Sequence, residues 1–490
     1  MISISTFKNI TWTALDLISY PLIMILATPF FIRELGPEQY GLWMLINVVV
    51  QLMNALNFGV GDSTIKEVSK YNAIQFSDQI QVAFNRNITL SILLMCLCIL
   101  LGLVLSIAIP YWHLLNIPDI DMNNAMLVLV LFSASAGLKF IEQVFVSVFK
   151  GFQRFDISSR LTMVSRLSIL IAAIIVVYFG YGLLVIVKVT LFINCLNLIL
   201  QTFTIYHLTK LRFSVRKLNQ PDFSLILKSN GWFWLQSVIA LIGFLSDRLI
   251  IGSLTDLKTV GYYSIAALIG SQIHNVLLTF GSFVFPKVSE LTALNKSLST
   301  IYFNSRVFIA GLGWFIISFL FIYGDFIFEK WLGPETFKFS IEYMKIYLSF
   351  IALMVLNIIP YHFINGSEKL KLNSIFELIL RSSLIISMLI GFYFNGVIGL
   401  LWGLVLATLI NTPIQYYLFH KLIIGIKQIQ HAFLPILPVI FIIIIGQLDD
   451  MIYKLLSFGL FVVSFWFIYV KMSNIELLVL LKRRIDFEDK

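Results

Sequence analysis

The sequence predicts an all-α polytopic membrane protein with about 14 transmembrane helices, and three observations support this. Of its 490 residues, 59% are hydrophobic and only 12% are charged, with a mean hydropathy of +0.91. A soluble domain carries about 25% charged residues. Apolar runs of about 18 residues or more recur along the whole length, and about 20 such residues cross a bilayer as a helix. These runs are solid rather than alternating, which excludes a β-barrel.

Taken in order between polar breaks, the first six spans are 12–32, 41–61, 88–110, 123–149, 161–179 and 182–206. The next six are 226–247, 260–283, 305–324, 341–364, 375–394 and 397–419, and the last two are 432–446 and 452–470. Pro21 and Pro29 within the first span imply a bent helix. The thirteenth span is short and carries Pro435 and Pro438. The longest polar stretch, 207–228, is too short to fold as a domain, so any chemistry takes place in or beside the membrane. The N-terminal blocks lack a signal-peptide pattern, since Lys8 is the one early basic residue and a full-length span follows. Cys96, Cys98 and Cys195 all lie in apolar runs and read as small core hydrophobes, not as a disulfide or zinc framework.

With the N-terminus placed inside, most of the 35 Lys and Arg residues fall on cytoplasmic segments. Both termini are then cytoplasmic, and the net charge of +9 needs no nucleic-acid partner. Residues 8–70 echo residues 228–290 at an offset of 220. The matching pairs are Lys8/Lys228, Trp12/Trp232, Leu15/Leu235, Gly41/Gly261, Gly61/Gly281, Val68/Val288 and Ser69/Ser289. Six spans separate the copies, so both share one orientation, related by an axis along the membrane normal. The expected organisation is a six-helix lobe over 1–210, a second over 220–420, and two extra helices with a tail over 421–490. The lobes would face each other across a central cavity.

"FFIRELGPEQYGLWMLI" (30–46) and "NFGVGDSTIKEVSKY" (57–71) resemble the Wzx-type polysaccharide repeat-unit flippases of the multidrug/oligosaccharidyl-lipid/polysaccharide exporter superfamily. The element is carried by Leu35, Gly36, Tyr40, Gly41 and Trp43, and "LTDLKTVGYYSIAALI" (254–269) with "FVFPKVSEL" (283–291) is its second-half echo. The resemblance implies a MATE-like fold in the bacterial inner membrane. It also implies a cargo of undecaprenyl-diphosphate-linked oligosaccharide, handed on to a polysaccharide polymerase machinery.

A charge in mid-bilayer costs at least about 2.5–3.5 kcal/mol on insertion scales, so each one calls for a role. Lys139 lies about 15 Å from the inner end of its span at Phe149, half the hydrocarbon thickness and beyond easy snorkelling. Glu142 shares its helix face. An internal ion pair and a water-filled cavity both satisfy that spacing, and Lys139 is the first candidate for holding a diphosphate. Lys188 sits near the outer end of its span, within reach of headgroups. Asn194, Asn197 and Gln201 form a polar stripe suited to sugar hydroxyls or to interhelical hydrogen bonding. Arg248 beside Asp247, and Arg381 four residues after Glu377, complete the substrate-binding candidates. Asp16, Glu142, His274 and Glu377 are the candidates for coupling to H+ or Na+.

"WFWL" (232–235) and "YYLF" (416–419) read first as interfacial aromatic belts. No Walker loop, nucleophile elbow, zincin motif or Cys/His cluster is present, so neither enzyme activity, cofactor nor metal is expected. Two rival readings share much of this pattern. A MATE-type drug or cation antiporter would be expected to favour acids at mid-depth, and an integral-membrane polysaccharide polymerase would need a large polar loop.

Overall fold

The computed structural model of the chain describes residues 4–54, 59–73, 76–112, 119–214, 220–294, 296–367, 369–425 and 433–472. Among the described residues there is no β-strand, and nine helices are long and apolar enough to cross a membrane. The chain groups into two compact units, Met1–Ser264 and Ile265–Lys490.

The first unit contains α1 (Ile4–Asn54), α2 (Val60–Ala73), α3 (Ser77–Trp112), α4 (Asp119–Gly151), α5 (Phe155–Tyr178), α6 (Leu183–Thr209), α7 (Gln220–Leu254) and the start of α8 (Leu257–Ser282). Helix α1 has 51 residues. Drawn straight it would run about 76 Å, more than twice the hydrocarbon thickness. Its one non-helical residue is Gly36, between the first two expected spans, with φ 78° and ψ 160°. A residue without Cβ takes that positive φ, and Pro37 then opens the second limb with its preset φ. The Phe31 ring meets Trp43 edge-on at 5.0 Å, so the two limbs form a hairpin. Helix α4 packs on α1, α2, α3, α5 and α6 and is the centre of this unit.

The second unit contains the rest of α8, α9 (Phe285–Ala293), α10 (Ser299–Leu332), α11 (Pro334–Gly366), α12 (Leu370–Phe419), α13 (Leu437–Gln447) and α14 (Met451–Phe465). Helix α11 is its core, with 89% of its apolar stretch buried. The α10–α11 corner, Leu332-Gly333-Pro334-Glu335, repeats the sequence and backbone of the α1 break, with Gly333 at φ 79° and ψ 161°. Helix α12 breaks at Asn395–Gly396 and folds back. Its limbs are tied by Asn411 Nδ2 donating to Ser383 Oγ (2.7 Å) and Gln415 Nε2 donating to the Phe376 carbonyl (3.2 Å).

The internal echo in the sequence corresponds to repeated contacts. In the first unit a Cβ on Gly151 would collide with Val68, and the Ser69 hydroxyl donates to the Gly151 carbonyl at 3.1 Å. In the second unit a Cβ on Gly366 would collide with Val288, and Ser289 donates to the Gly366 carbonyl at 3.2 Å. Within the first unit the copies also touch reciprocally. A Cβ on Gly41 would run into the Leu257 carbonyl, and one on Gly261 into the Pro37 carbonyl. This i-to-j, j-to-i pattern is the mark of a two-fold contact. The side chains of Lys8, Leu15, Lys228 and Trp232 lie outside the described residues, as do most of the "WFWL" stretch.

Two expectations change. "YYLF" is not an interfacial belt, because Tyr416 and Phe419 are each 1% exposed and the Tyr416 hydroxyl donates to the Leu356 carbonyl at 2.7 Å. These residues belong to a buried cage on α10, where the Arg306 guanidinium lies over the rings of Tyr302, Phe303 and Tyr469. The Tyr302 hydroxyl pairs with His420 Nε2 at 2.8 Å. Two π-helical turns, His420–Ile424 and Trp466–Met472, supply His420 and Tyr469. Of the cysteines, Cys98 alone is buried. Cys96 and Cys195 sit on outward helix faces, because an apolar run in a membrane span marks either packing or lipid exposure.

Candidate functional site

Three helices of the first unit bring one polar network together in an apolar interior. From α4, Lys139 Nζ reaches Glu142 Oε2 at 2.6 Å and donates to Ser165 Oγ of α5 at 2.8 Å. From α6, Gln201 Nε2 donates to the second Glu142 oxygen at 3.0 Å. Asn197 Nδ2 reaches Ser168 Oγ at 3.4 Å, and Ser168 in turn donates to the Ser165 carbonyl at 3.0 Å. The three-residue spacing of Lys139 and Glu142 puts both on one face of α4. The spacing of Asn194, Asn197 and Gln201 does the same on α6.

The burial of this network is graded. The Glu142 side chain is 11% exposed and that of Lys139 is 35% exposed, so the lysine is bonded while its side chain stays partly open. Asn194, Asn197 and Gln201 are buried. Among the described residues, Gln201 Oε1 and Asn194 Oδ1 accept no hydrogen bond. Both oxygens are buried away from the surface, where carbonyl oxygens are nearly always paired. The carboxylate cancels the charge of the amine, so the network presents donors and acceptors on a neutral background.

Other candidates fall elsewhere. Lys188 is on an exposed face of α6 and does not join the network. Asp247 and Arg248 are buried on α7 in the first unit. Asp247 accepts from the Tyr263 hydroxyl and, at 2.6 Å, from the Arg248 backbone N–H. The side chain of Asp16 lies outside the described residues.

The second unit carries its own constellation. Glu377 and Arg381 pair on α12 at 3.0 Å, with side chains 15% and 9% exposed. The buried His274 of α8 lies within the field of Arg381. Tyr361 bonds Asn365, which accepts from Asn373 Nδ2 at 2.8 Å.

Sequence reasoning missed Ser165 and Ser168, whose hydroxyls carry no charge signal. Their three-residue spacing, on either side of Arg166 in the fifth span, was the available clue. It also missed Tyr361, Asn365 and Asn373 around the second ion pair.

Comparison with known proteins places this geometry. The profile of the polysaccharide biosynthesis protein family matches residues 6–292. A Shigella flexneri protein, named provisionally as an O-antigen transporter, is 21% identical over 382 residues, covering 76% of this chain and 87% of that protein. Among solved structures, the lipid II flippase MurJ in an inward closed conformation superposes with a TM-score of 0.68 at 16% identity, covering 96% and 99% of the two chains. An inward-facing multidrug resistance MATE family transporter of the MOP superfamily gives 0.66 at 14% identity, covering 84% and 98%. At these identities the solved structures establish the fold, a MATE- and MurJ-like arrangement of helices.

Proposed function

We infer the function from one premise: the chain belongs to the polysaccharide biosynthesis protein family. In our reading it translocates a lipid-linked oligosaccharide, an undecaprenyl-diphosphate-borne repeat unit, from the inner to the outer leaflet by alternating access. It sits in the bacterial inner membrane with both termini cytoplasmic, as the distribution of basic residues favours. In this reading, residues 1–210 and 220–420 are the two lobes and 421–490 an appended pair of helices with a tail.

The observation that carries this reading is the partly exposed Lys139, bonded to Glu142 and Ser165 in mid-span, with Gln201 on the second Glu142 oxygen. A diphosphate competes with Glu142 for the amine, because a charge-assisted hydrogen bond to phosphate matches one to carboxylate. Gln201 Oε1 and Asn194 Oδ1, buried in this conformation, become acceptors for sugar hydroxyls when the helices part during alternating access. When Lys139 turns to the diphosphate, Glu142 loses its counter-charge and is left for a coupling cation. Glu142 is therefore the coupling group we favour over His274 and Glu377. The polymerase machinery that uses the delivered repeat unit is a partner by this same logic.

The test is restoration of surface polysaccharide in a translocase-deficient cell by wild type, Lys139→Ala and Glu142→Gln. Restoration by wild type with loss in Lys139→Ala supports the reading. Full activity of Lys139→Ala removes the lysine from the mechanism. The likeness to a MATE transporter favours one rival, drug or cation antiport. Raised drug resistance in cells expressing the chain, with no restoration of polysaccharide, would select that rival.

A further inference from the structure

The first unit also holds a chamber unrelated to the polar network. It lies where α3, α4 and α6 meet the segment that follows α6, and it has a volume of about 260 Å³. That exceeds the roughly 150 Å³ apolar cavity known to accept benzene. Phe84 and Phe145, stacked with ring centroids 6.0 Å apart, line its inner part with Ile205 and Leu211, and all four are buried. Tyr206 and Arg212 stand exposed on its rim.

Three features show what the chamber fits. Its depth is interfacial, since Tyr206 and His207 occupy the last turn of α6, where aromatic side chains mark the headgroup level. Its rim is basic. Arg212 is exposed and forms no ion pair among the described residues, Lys210 sits two residues before it in the left-handed conformation, and the lining contains no acid. Its rim is also built rather than loose. Gln81 Nε2 donates to the Arg212 carbonyl (2.7 Å), Arg212 N–H donates to Gln81 Oε1 (2.9 Å), and Ser214 N–H donates to Asn85 Oδ1 (3.2 Å). The side chains of α3 thus clamp the backbone that carries Arg212 beside an apolar hole.

We propose that this chamber binds one anionic glycerophospholipid of the inner leaflet, with an acyl chain against Phe84 and Phe145 and its phosphate on Arg212. Basic residues at a cytoplasmic membrane surface attract anionic headgroups, and a bidentate guanidinium suits a phosphodiester. The bound lipid fastens the 211–214 segment to α3, α4 and α6. This assignment rests on the cytoplasmic orientation proposed above but not on what the chain transports.

The test uses the full chain, purified in detergent and stripped of lipid, titrated with dioleoyl phosphatidylglycerol or dioleoyl phosphatidylcholine and read by native mass spectrometry. Wild type is expected to retain one phosphatidylglycerol at least tenfold more tightly than phosphatidylcholine. Arg212→Gln should bring the two lipids to equal affinity. Thr202→Trp, which places a bulky ring at the exposed mouth, should remove the retained lipid of either class. Equal affinity of wild type for the two lipids overturns the proposal, as does unchanged retention of phosphatidylglycerol in either variant. Displacement by an equimolar polyprenyl phosphate would make the occupant a carrier lipid and overturn it equally.

Discussion

Lys139→Ala tests the network most directly, because the structure indicates what the substitution removes. Two hydrogen bonds from Nζ disappear, one to Glu142 at 2.6 Å and one to Ser165 at 2.8 Å. A hydrogen bond involving a charged group contributes about 1.5–3 kcal/mol. The Lys139 side chain is 35% exposed, so solvent screening takes off a large part and the lower end applies. Glu142 keeps one donor, Gln201, in a site where its own side chain is only 11% exposed. The net loss should be about 2 kcal/mol. In a Glu142→Gln background no carboxylate is left stranded, and the same substitution should cost about 1 kcal/mol. The coupling energy is then about 1 kcal/mol. It can be measured by a double-mutant cycle of denaturant unfolding on purified protein in micelles, followed by tryptophan fluorescence. Additivity within about 0.4 kcal/mol, the behaviour of independent sites, would refute an energetically coupled pair.

Lys188→Ala should leave surface-polysaccharide restoration unchanged, because that side chain is exposed and joins no part of the network. Gly41→Leu should destabilise the chain by about 1–3 kcal/mol, the range for overpacking, because its Cβ meets the Leu257 carbonyl. Gly261→Leu should do the same at the reciprocal position, and the double variant should fall short of the sum in an unfolding assay because both act on one contact. Tyr302→Phe should cost about 1 kcal/mol by removing the His420 hydrogen bond while keeping the ring over which Arg306 lies, a difference readable in the same unfolding assay.

The helical membrane class was legible because hydrocarbon imposes it. Length and apolarity suffice to identify a span when every backbone group must be satisfied internally. The hairpin in α1 was legible as two spans, but its cause was not. The break between 32 and 41 was expected, but not that Gly36 makes the turn by a positive φ ahead of Pro37. The polar network was largely legible from spacing, since Lys139 with Glu142 on one helix and Asn197 with Gln201 on another each fix a face. Which faces would meet, and that two serines would complete the network, depended on packing between helices, which periodicity does not encode. The "YYLF" segment shows the converse limit. Aromatic residues near a span end suit an interface or a cage equally well, and distant partners, the Tyr302 ring against Phe419 and the Leu356 carbonyl on Tyr416, decide between them.

The two π-helical turns each hold one residue more than an α-helical turn would. A single residue advances the helical phase by about 100°. Deleting one position from Trp466–Met472 would restore ordinary hydrogen bonding there and at the same time swing the phenol of Tyr469 away from the guanidinium it covers. Deletion within His420–Ile424 would likewise disturb the imidazole facing Tyr302. The irregular turns therefore act as phase adjusters, and the register of the last helices against α10 depends on a surplus residue that a length-preserving substitution scan would never expose.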